Sequence, residues 1–314
     1  MGGRVGAAGS GIPQLVLLGV LWGAIFPIAR IAVAAGANPF LLVVLDLALA
    51  SAVMAPVALL SGEARPSGRS LLGSAGLGAL LIAGINLPLY WGLQHATGGS
   101  ASIVYATAPI LSLVVLRLLR SSGPVRPRQL GALAVGLGGV VILGLGTTGG
   151  NLAAGAAALA AFGVGALCQG VGAVVAGRAR PAGEGTWGLT FEFVGGTTAA
   201  LVALPFLARA PTFPLNATTV GSVAYVGAVG IAVGYLVFFR LIHRFGAVRA
   251  NQVTFLNPVV AVAAGVLVFG ERFVPLEGVA LVAIVVALAL LQPPSARGSP
   301  GPEPVPGKVA RAAR

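Results

Sequence analysis

Seven acidic residues are spread over 314 positions, and two of them, Asp46 and Glu192, stand inside long apolar runs. An ionised carboxylate at mid-bilayer costs about 2.5–3.5 kcal/mol on insertion scales, so each needs a cation, water or a proton. Arg30 lies near the end of one run and Asp46 a similar depth into the next. Antiparallel packing of those runs would pair the two, either as a structural lock or as a site that exchanges partners with a charged solute. Glu192 has no basic residue near it on its own run. In a low dielectric it becomes a candidate proton carrier; the alternative is a side chain that snorkels to the cytoplasmic interface.

A second set of residues is suited to binding: Trp22, Asn86, Tyr90, Trp91, Tyr105, Gln169, Tyr235, Phe239, Gln252 and Asn257. Asn86 with Tyr90, and Tyr235 with Phe239, are spaced i, i+4 and so share a helix face. Such faces give a cavity aromatic walls and a few orienting amides. Trp22, Tyr235 and Asn257 are the strongest choices, although packing or an interfacial belt explains any single aromatic equally well. Pro27, Pro109 and Pro258 fall within apolar runs, where proline frees a backbone carbonyl and kinks the helix. No His, Cys, Asp or Glu cluster has metal-ligand spacing, and the single Cys168 forms no intramolecular disulfide. Neither a catalytic set, a metal site nor a cofactor is expected.

These residues are carried by a chain that is 57% hydrophobic and 8% charged, with a mean hydropathy of +0.98. A surface so poor in charge suits lipid rather than water. Ten apolar runs are each long enough to cross a bilayer as a helix: 13–34, 39–61, 71–93, 99–119, 129–146, 152–176, 185–208, 219–242, 247–269 and 274–292. Their continuity excludes a β-barrel, whose strands alternate in polarity. With the N-terminus inside, all but three of the nineteen Lys and Arg residues fall at cytoplasmic ends, the exceptions being Arg30, Arg209 and Arg272. The net charge of +12 is thus a topology signal, and nucleic acid is not an expected partner. Residues 1–12 read as a cytoplasmic N-terminus, and 293–314 as a disordered basic cytoplasmic tail.

The chain also resembles itself. The segment from Ala101 to Pro109 aligns with that from Ala250 to Pro258, 149 residues on, and the same offset pairs Gly78 with Gly227 and Leu87 with Leu236. Gly131 pairs with Gly278 at 147, which implies a two-residue insertion in the first copy. Two copies of five spans, 13–146 and 152–292, follow. Because five is odd, the second copy enters from the opposite side, and inverted repeats are a signature of secondary transporters.

Leu21-Trp22-Gly23 with Pro27 and Arg30, Gly234 to Phe239, Pro258, and Phe269-Gly270-Glu271-Arg272 leading to Gly278 together resemble the drug/metabolite transporter superfamily, EamA type. The resemblance covers about residues 13–292 and implies an all-α integral membrane protein of ten helices in two inverted five-helix repeats. Both termini would be cytoplasmic, at the inner membrane, around a central cavity. It implies export of a small metabolite or drug by alternating access, coupled to protons or by facilitated diffusion, with membrane lipid as surroundings and a homodimer left open. Two positions depart from the family pattern: Gly123-Pro124 where the first repeat often has Gly-Glu, and Asp46 where the second span often has arginine. Two rival classes remain at this stage, a membrane-embedded enzyme or lipid-handling protein and a non-transporting receptor or scaffold. The scarcity of clustered acids and histidines disfavours the first, and the repeat symmetry disfavours the second.

Overall fold

Runs of Leu, Val, Ala and Gly favour helix when lipid is the solvent, because a helix satisfies its backbone hydrogen bonds within one segment. Among the described residues every regular element is helical. The computed structural model describes residues 12–119, 152–179, 185–208, 210–246, 250–268, 270 and 275–291, with positions 127, 128, 131, 134, 135, 138, 139 and 142. The elements are α1 (Ile12–Ala34), α2 (Pro39–Leu60), α3 (Gly68–Gly92), α4 (Gly98–Tyr105), α5 (Ala108–Leu118), α6 (Leu152–Ala179) and α7 (Gly185–Leu207). Then α8 (Ala217–Val223) runs through a π-helix (Ala224–Val233) into α9 (Gly234–Phe245). A 3-10 turn (Asn251–Phe255) leads to α10 (Leu256–Leu267), and α11 is Pro275–Leu291.

Seven helical stretches in the described residues are long and apolar enough to cross a membrane: Pro13–Ala34, Pro39–Leu60, Gly68–Gly92, Gly98–Leu118, Ala154–Val175, Gly185–Leu207 and Ala217–Phe245. Val253–Leu267 is a shorter apolar helix. All lie within a few residues of spans expected from the sequence. Most of the expected fifth span, 129–146, lies outside the described residues, as do residues 1–11, Gly123-Pro124, Glu271 and the tail. The exterior is apolar, with Leu59, Leu60, Leu72, Phe206 and Leu267 all exposed, as a lipid-facing surface requires.

Prolines shape the helices in two ways. Pro27 sits within α1, as expected. Pro109 and Pro258 do not kink continuous helices: each occupies the first turn of a helix that restarts, α5 after the turn at Ala106-Thr107 and α10 after the 3-10 turn. First-turn N–H groups have no intrahelical acceptor, so proline is accommodated there without loss. The two broken segments meet, since α4 packs on α10 and Asn251 Nδ2 donates to Ser112 Oγ at 2.7 Å.

The stretches before residue 119 and after residue 152 are interleaved. α7 packs against α2 and α3, α6 against α3 and α5, and α1 against α10 and the π-helix. Both ends of the bundle are tied across this seam. At one, Glu63 Oε2 accepts from the Thr186 N–H and hydroxyl, both at 2.8 Å, and Arg65 lies 5.6 Å from the centre of the Trp187 ring. At the other, the Asn38 N–H donates to the Thr212 carbonyl at 2.8 Å, and the Thr212 hydroxyl donates to the Gly36 carbonyl at 3.0 Å. Gly36 takes a φ of +91° in this turn, a conformation costly for residues with a Cβ.

The closest approach is between α3 and α7. A Cβ on Gly78 would strike the backbone of Glu192, and one on Gly195 the backbone of Ala75. Main chain cannot move aside as a flexible side chain can, and overpacking costs about 1–3 kcal/mol or more. Gly78→Ala and Gly195→Ala should each lower stability by about that amount. Gly76→Ala, where a Cβ meets nothing within 4 Å, should leave it unchanged. Denaturation of the detergent-solubilised protein measures the difference, and equal effects at all three positions would contradict the close seam.

Candidate functional site

At the centre of the bundle lies a cavity of about 50 Å³, bounded by Trp22, Ile25, Phe26, Ile85, Asn86, Leu89, Tyr105, Gln169, Ile231, Tyr235 and Asn257. One water needs about 10–15 Å³ on this measure, so the space admits a few waters. Its walls come from α1, α3, α4, α6, the π-helix, α9 and α10, drawn from both sides of the seam. A second pocket adjoins it and shares Ile85, Gln169 and Tyr235. That pocket also holds Glu192, Phe238 and Phe239.

Trp22, Asn86, Tyr90, Tyr235, Phe239 and Asn257 head the set expected to bind, and four of these six, Trp22, Asn86, Tyr235 and Asn257, line the central cavity together with Tyr105 and Gln169 from the wider set. Their placement follows from local structure. Trp22 stacks against Tyr235 and Phe238 with ring centroids at 5.3 and 4.8 Å, and its Nε1–H donates to the Gly230 carbonyl at 3.0 Å. Asn86 Nδ2 donates to the Ile82 carbonyl one turn back at 2.8 Å, which fixes its rotamer. Tyr235 packs on Phe193 at 5.6 Å and Phe239 at 5.8 Å. Asn257 is 2% exposed, and its Oδ1 has no hydrogen-bond partner.

The other two depart from the cavity. Phe239 lines the adjoining pocket. Tyr90, expected to share a face with Asn86, turns towards α2 and donates its hydroxyl to Asp46 Oδ2. Four residues of helix advance about 400°, so i, i+4 partners differ by about 40° in direction. At a helix flanked by two neighbours, that divergence sends them to different sides.

Asp46 and Arg30 do not form the expected ion pair. Asp46 is 1% exposed, and its carboxylate is met by Tyr90. The antiparallel neighbour of α2 is α7 rather than α1, while α1 packs on α10 and the π-helix, so chain adjacency misjudged spatial adjacency. Arg30 is half-buried. Glu192 is 3% exposed, deep in the bundle rather than snorkelling at an interface. His95 is exposed and lies against Trp91.

Five wall residues, Ile25, Phe26, Ile85, Leu89 and Ile231, were missed as site members, whereas Tyr105 belongs to the expected set. Phe26, four residues after Trp22 on α1, packs edge-on against Tyr105 at 5.6 Å. Tyr105 donates to the Ile85 carbonyl at 2.7 Å. The i, i+4 spacing from Trp22 could have identified Phe26; nothing in the local pattern marks Ile25, Ile85 or Ile231. The π-helix was likewise unmarked, except by Gly227, Gly230 and Gly234, whose missing Cβ atoms admit Asp46, Ile25 and Trp22.

Tyr90→Phe should destabilise the protein by about 1–3 kcal/mol, since it strips a buried carboxyl of its donor. Asp46→Leu combined with Tyr90→Phe should recover part of that loss, because both polar groups are then gone. Chemical unfolding of the two variants checks the pair, and a double variant less stable than Tyr90→Phe would contradict it.

Comparison with known proteins places this geometry. The model of the EamA-like transporter family matches residues 9–145 and again 156–292. The "Uncharacterized inner membrane transporter YedA" of Escherichia coli (strain K12) is 26% identical over 281 residues, 88% of this chain and 89% of that protein. The "Probable terminal-alkyne amino-acid exporter" of Streptantibioticus cattleyicolor is 27% identical over 267 residues, 83% of this chain and 86% of that one. A protein of known crystal structure shares the fold with a TM-score of 0.61 at 20% identity, over 88% of this chain and 97% of its own.

Proposed function

The chain belongs to the EamA-like transporter family, and from that premise we propose that it exports a small solute across the inner membrane by alternating access about the central cavity. One observation carries this: the cavity lies on the seam, with Trp22, Asn86 and Tyr105 on one side and Gln169, Tyr235 and Asn257 on the other. A pocket split between two interleaved units changes shape when the units move. Supporting the outward direction and the membrane are the relatives, one an inner membrane transporter and one an exporter. The distribution of Arg and Lys supports cytoplasmic termini.

In this reading the chain has ten spans in two inverted repeats, 13–146 and 152–292. What supports it is the double match of the family model, together with the breaks before Pro109 and Pro258 at equivalent positions. Discontinuous helices near the midplane are where secondary transporters bind their cargo. The ties at either end of the bundle, Glu63 to Thr186 and Asn38 to Thr212, would open and close as access alternates.

Glu192 is the proposed proton carrier. It and Tyr235 are the titratable groups among the described residues lining the adjoining pocket, and no cation lines it. A one-unit pH step is worth about 1.4 kcal/mol per proton, so one-for-one exchange drives about tenfold solute accumulation. Proteoliposomes screened with a panel of amino acids and amines should show solute exchange in the wild type, with accumulation tracking the imposed pH gradient. Glu192→Gln should retain exchange and lose the gradient-driven accumulation. Accumulation by Glu192→Gln equal to wild type would remove the proton role, and absence of any flux across the panel would count against transport.

A further inference from the structure

Several of the donors on the central cavity wall are already committed. Trp22 Nε1–H is committed to Gly230, the Tyr105 hydroxyl to Ile85 and Asn86 Nδ2 to Ile82, all of them backbone carbonyls. Asn257 Oδ1 is a buried acceptor without a partner on the same wall. Four aromatic rings, Trp22, Phe26, Tyr105 and Tyr235, surround the same space. Among the described residues no Lys, Arg or His lines either pocket, and Glu192 supplies the one carboxyl group.

We propose that the cavity selects solutes carrying a protonated amine on an apolar or aryl body. This deepens the transporter reading and rests on it. An ammonium group suits this wall: one N–H reaches Asn257 Oδ1, and the positive charge meets aromatic faces, an attraction that grows once water is excluded. Glu192, in the adjoining pocket, offers the complementary charge. A carboxylate solute would face the negative faces of the rings and meet no cation among the described lining residues to offset the loss of its hydration. Ile25, Ile85, Leu89 and Ile231 supply apolar surface for the body of the solute. In this conformation the free volume favours a small one.

Three probes of nearly equal shape separate these terms: 2-phenylethylammonium, 2-phenylethanol and 3-phenylpropionate. Binding to the purified full-length protein is measured by calorimetry at neutral pH. The ammonium should bind about tenfold or more tighter than the alcohol, the measure of a desolvated cation–π and charge contribution. The propionate should bind weakest. In Glu192→Gln the preference for ammonium over alcohol should shrink while alcohol affinity holds, and in Asn257→Ala both should weaken. The ranking on wild-type protein is decisive even where a variant fails to fold. Propionate binding as well as the ammonium, equal binding of all three, or binding of none would each overturn the proposal. Counterflow of the same probes keeps the two readings apart. Preferential ammonium binding without exchange would remove transport and leave the selectivity standing, whereas flux with the ranking reversed would do the opposite.

Discussion

Inside a membrane a donor without an acceptor has no water to turn to, and that requirement organises this bundle. The solution recurs between helices far apart in sequence: a side-chain donor on one helix takes a backbone carbonyl on another. Trp22 bonds Gly230, Tyr225 bonds Leu21, Tyr105 bonds Ile85, Ser112 bonds Gly170 and Ser222 bonds Ile28. Three of the five join α1 to the stretch from α8 through the π-helix. A carbonyl oxygen has two lone pairs, so one can serve a helix ladder while the other serves as glue. The same economy shapes the cavity, because the Trp22 and Tyr105 donors on its wall are committed to backbone carbonyls.

The two buried acids are treated differently. Asp46 is enclosed between α2 and α3 with the Tyr90 hydroxyl on one oxygen, away from the central cavity. Glu192 shares a pocket with Tyr235, which itself forms part of the cavity wall. Asp46 can therefore influence a solute only through neighbouring helices, α3 and the π-helix whose Gly227 it meets, whereas Glu192 is one residue removed from it. Asn86 and Tyr90, one turn apart on α3, stand on opposite sides of that division.

Much of this could be read in the sequence, and the failures have definite causes. Apolar length located the helices, because the bilayer sets a minimum span and leaves few alternatives. Aromatic and amide residues within those spans identified Trp22, Asn86, Tyr235 and Asn257 as cavity wall, since a polar group in an apolar run needs a purpose or a partner. Arg30 and Asp46 misled because sign and depth were right while the neighbour was wrong: α2 lies against α7, which begins 139 positions along the chain from Asp46. Pro109 and Pro258 were correctly singled out, yet a proline in an apolar run signals a restarted helix as readily as a bent one. The π-helix was hidden because its residues are as apolar as those of any α-helix.

The glycine contact between α3 and α7 has a mechanical meaning. Gly78 faces the main chain of Glu192, and Gly195 that of Ala75, so at these two points the polypeptide backbones touch with no side chain between them. Surfaces of that kind resist being pulled apart, since the close contact is lost at once, but they present no knobs to block slippage along their length. Such a joint works as a bearing and favours shear over hinging. Any displacement of α7 along α3 would carry the Glu192 carboxyl past Leu77, Leu81 and Ile82 and so reshape the adjoining pocket.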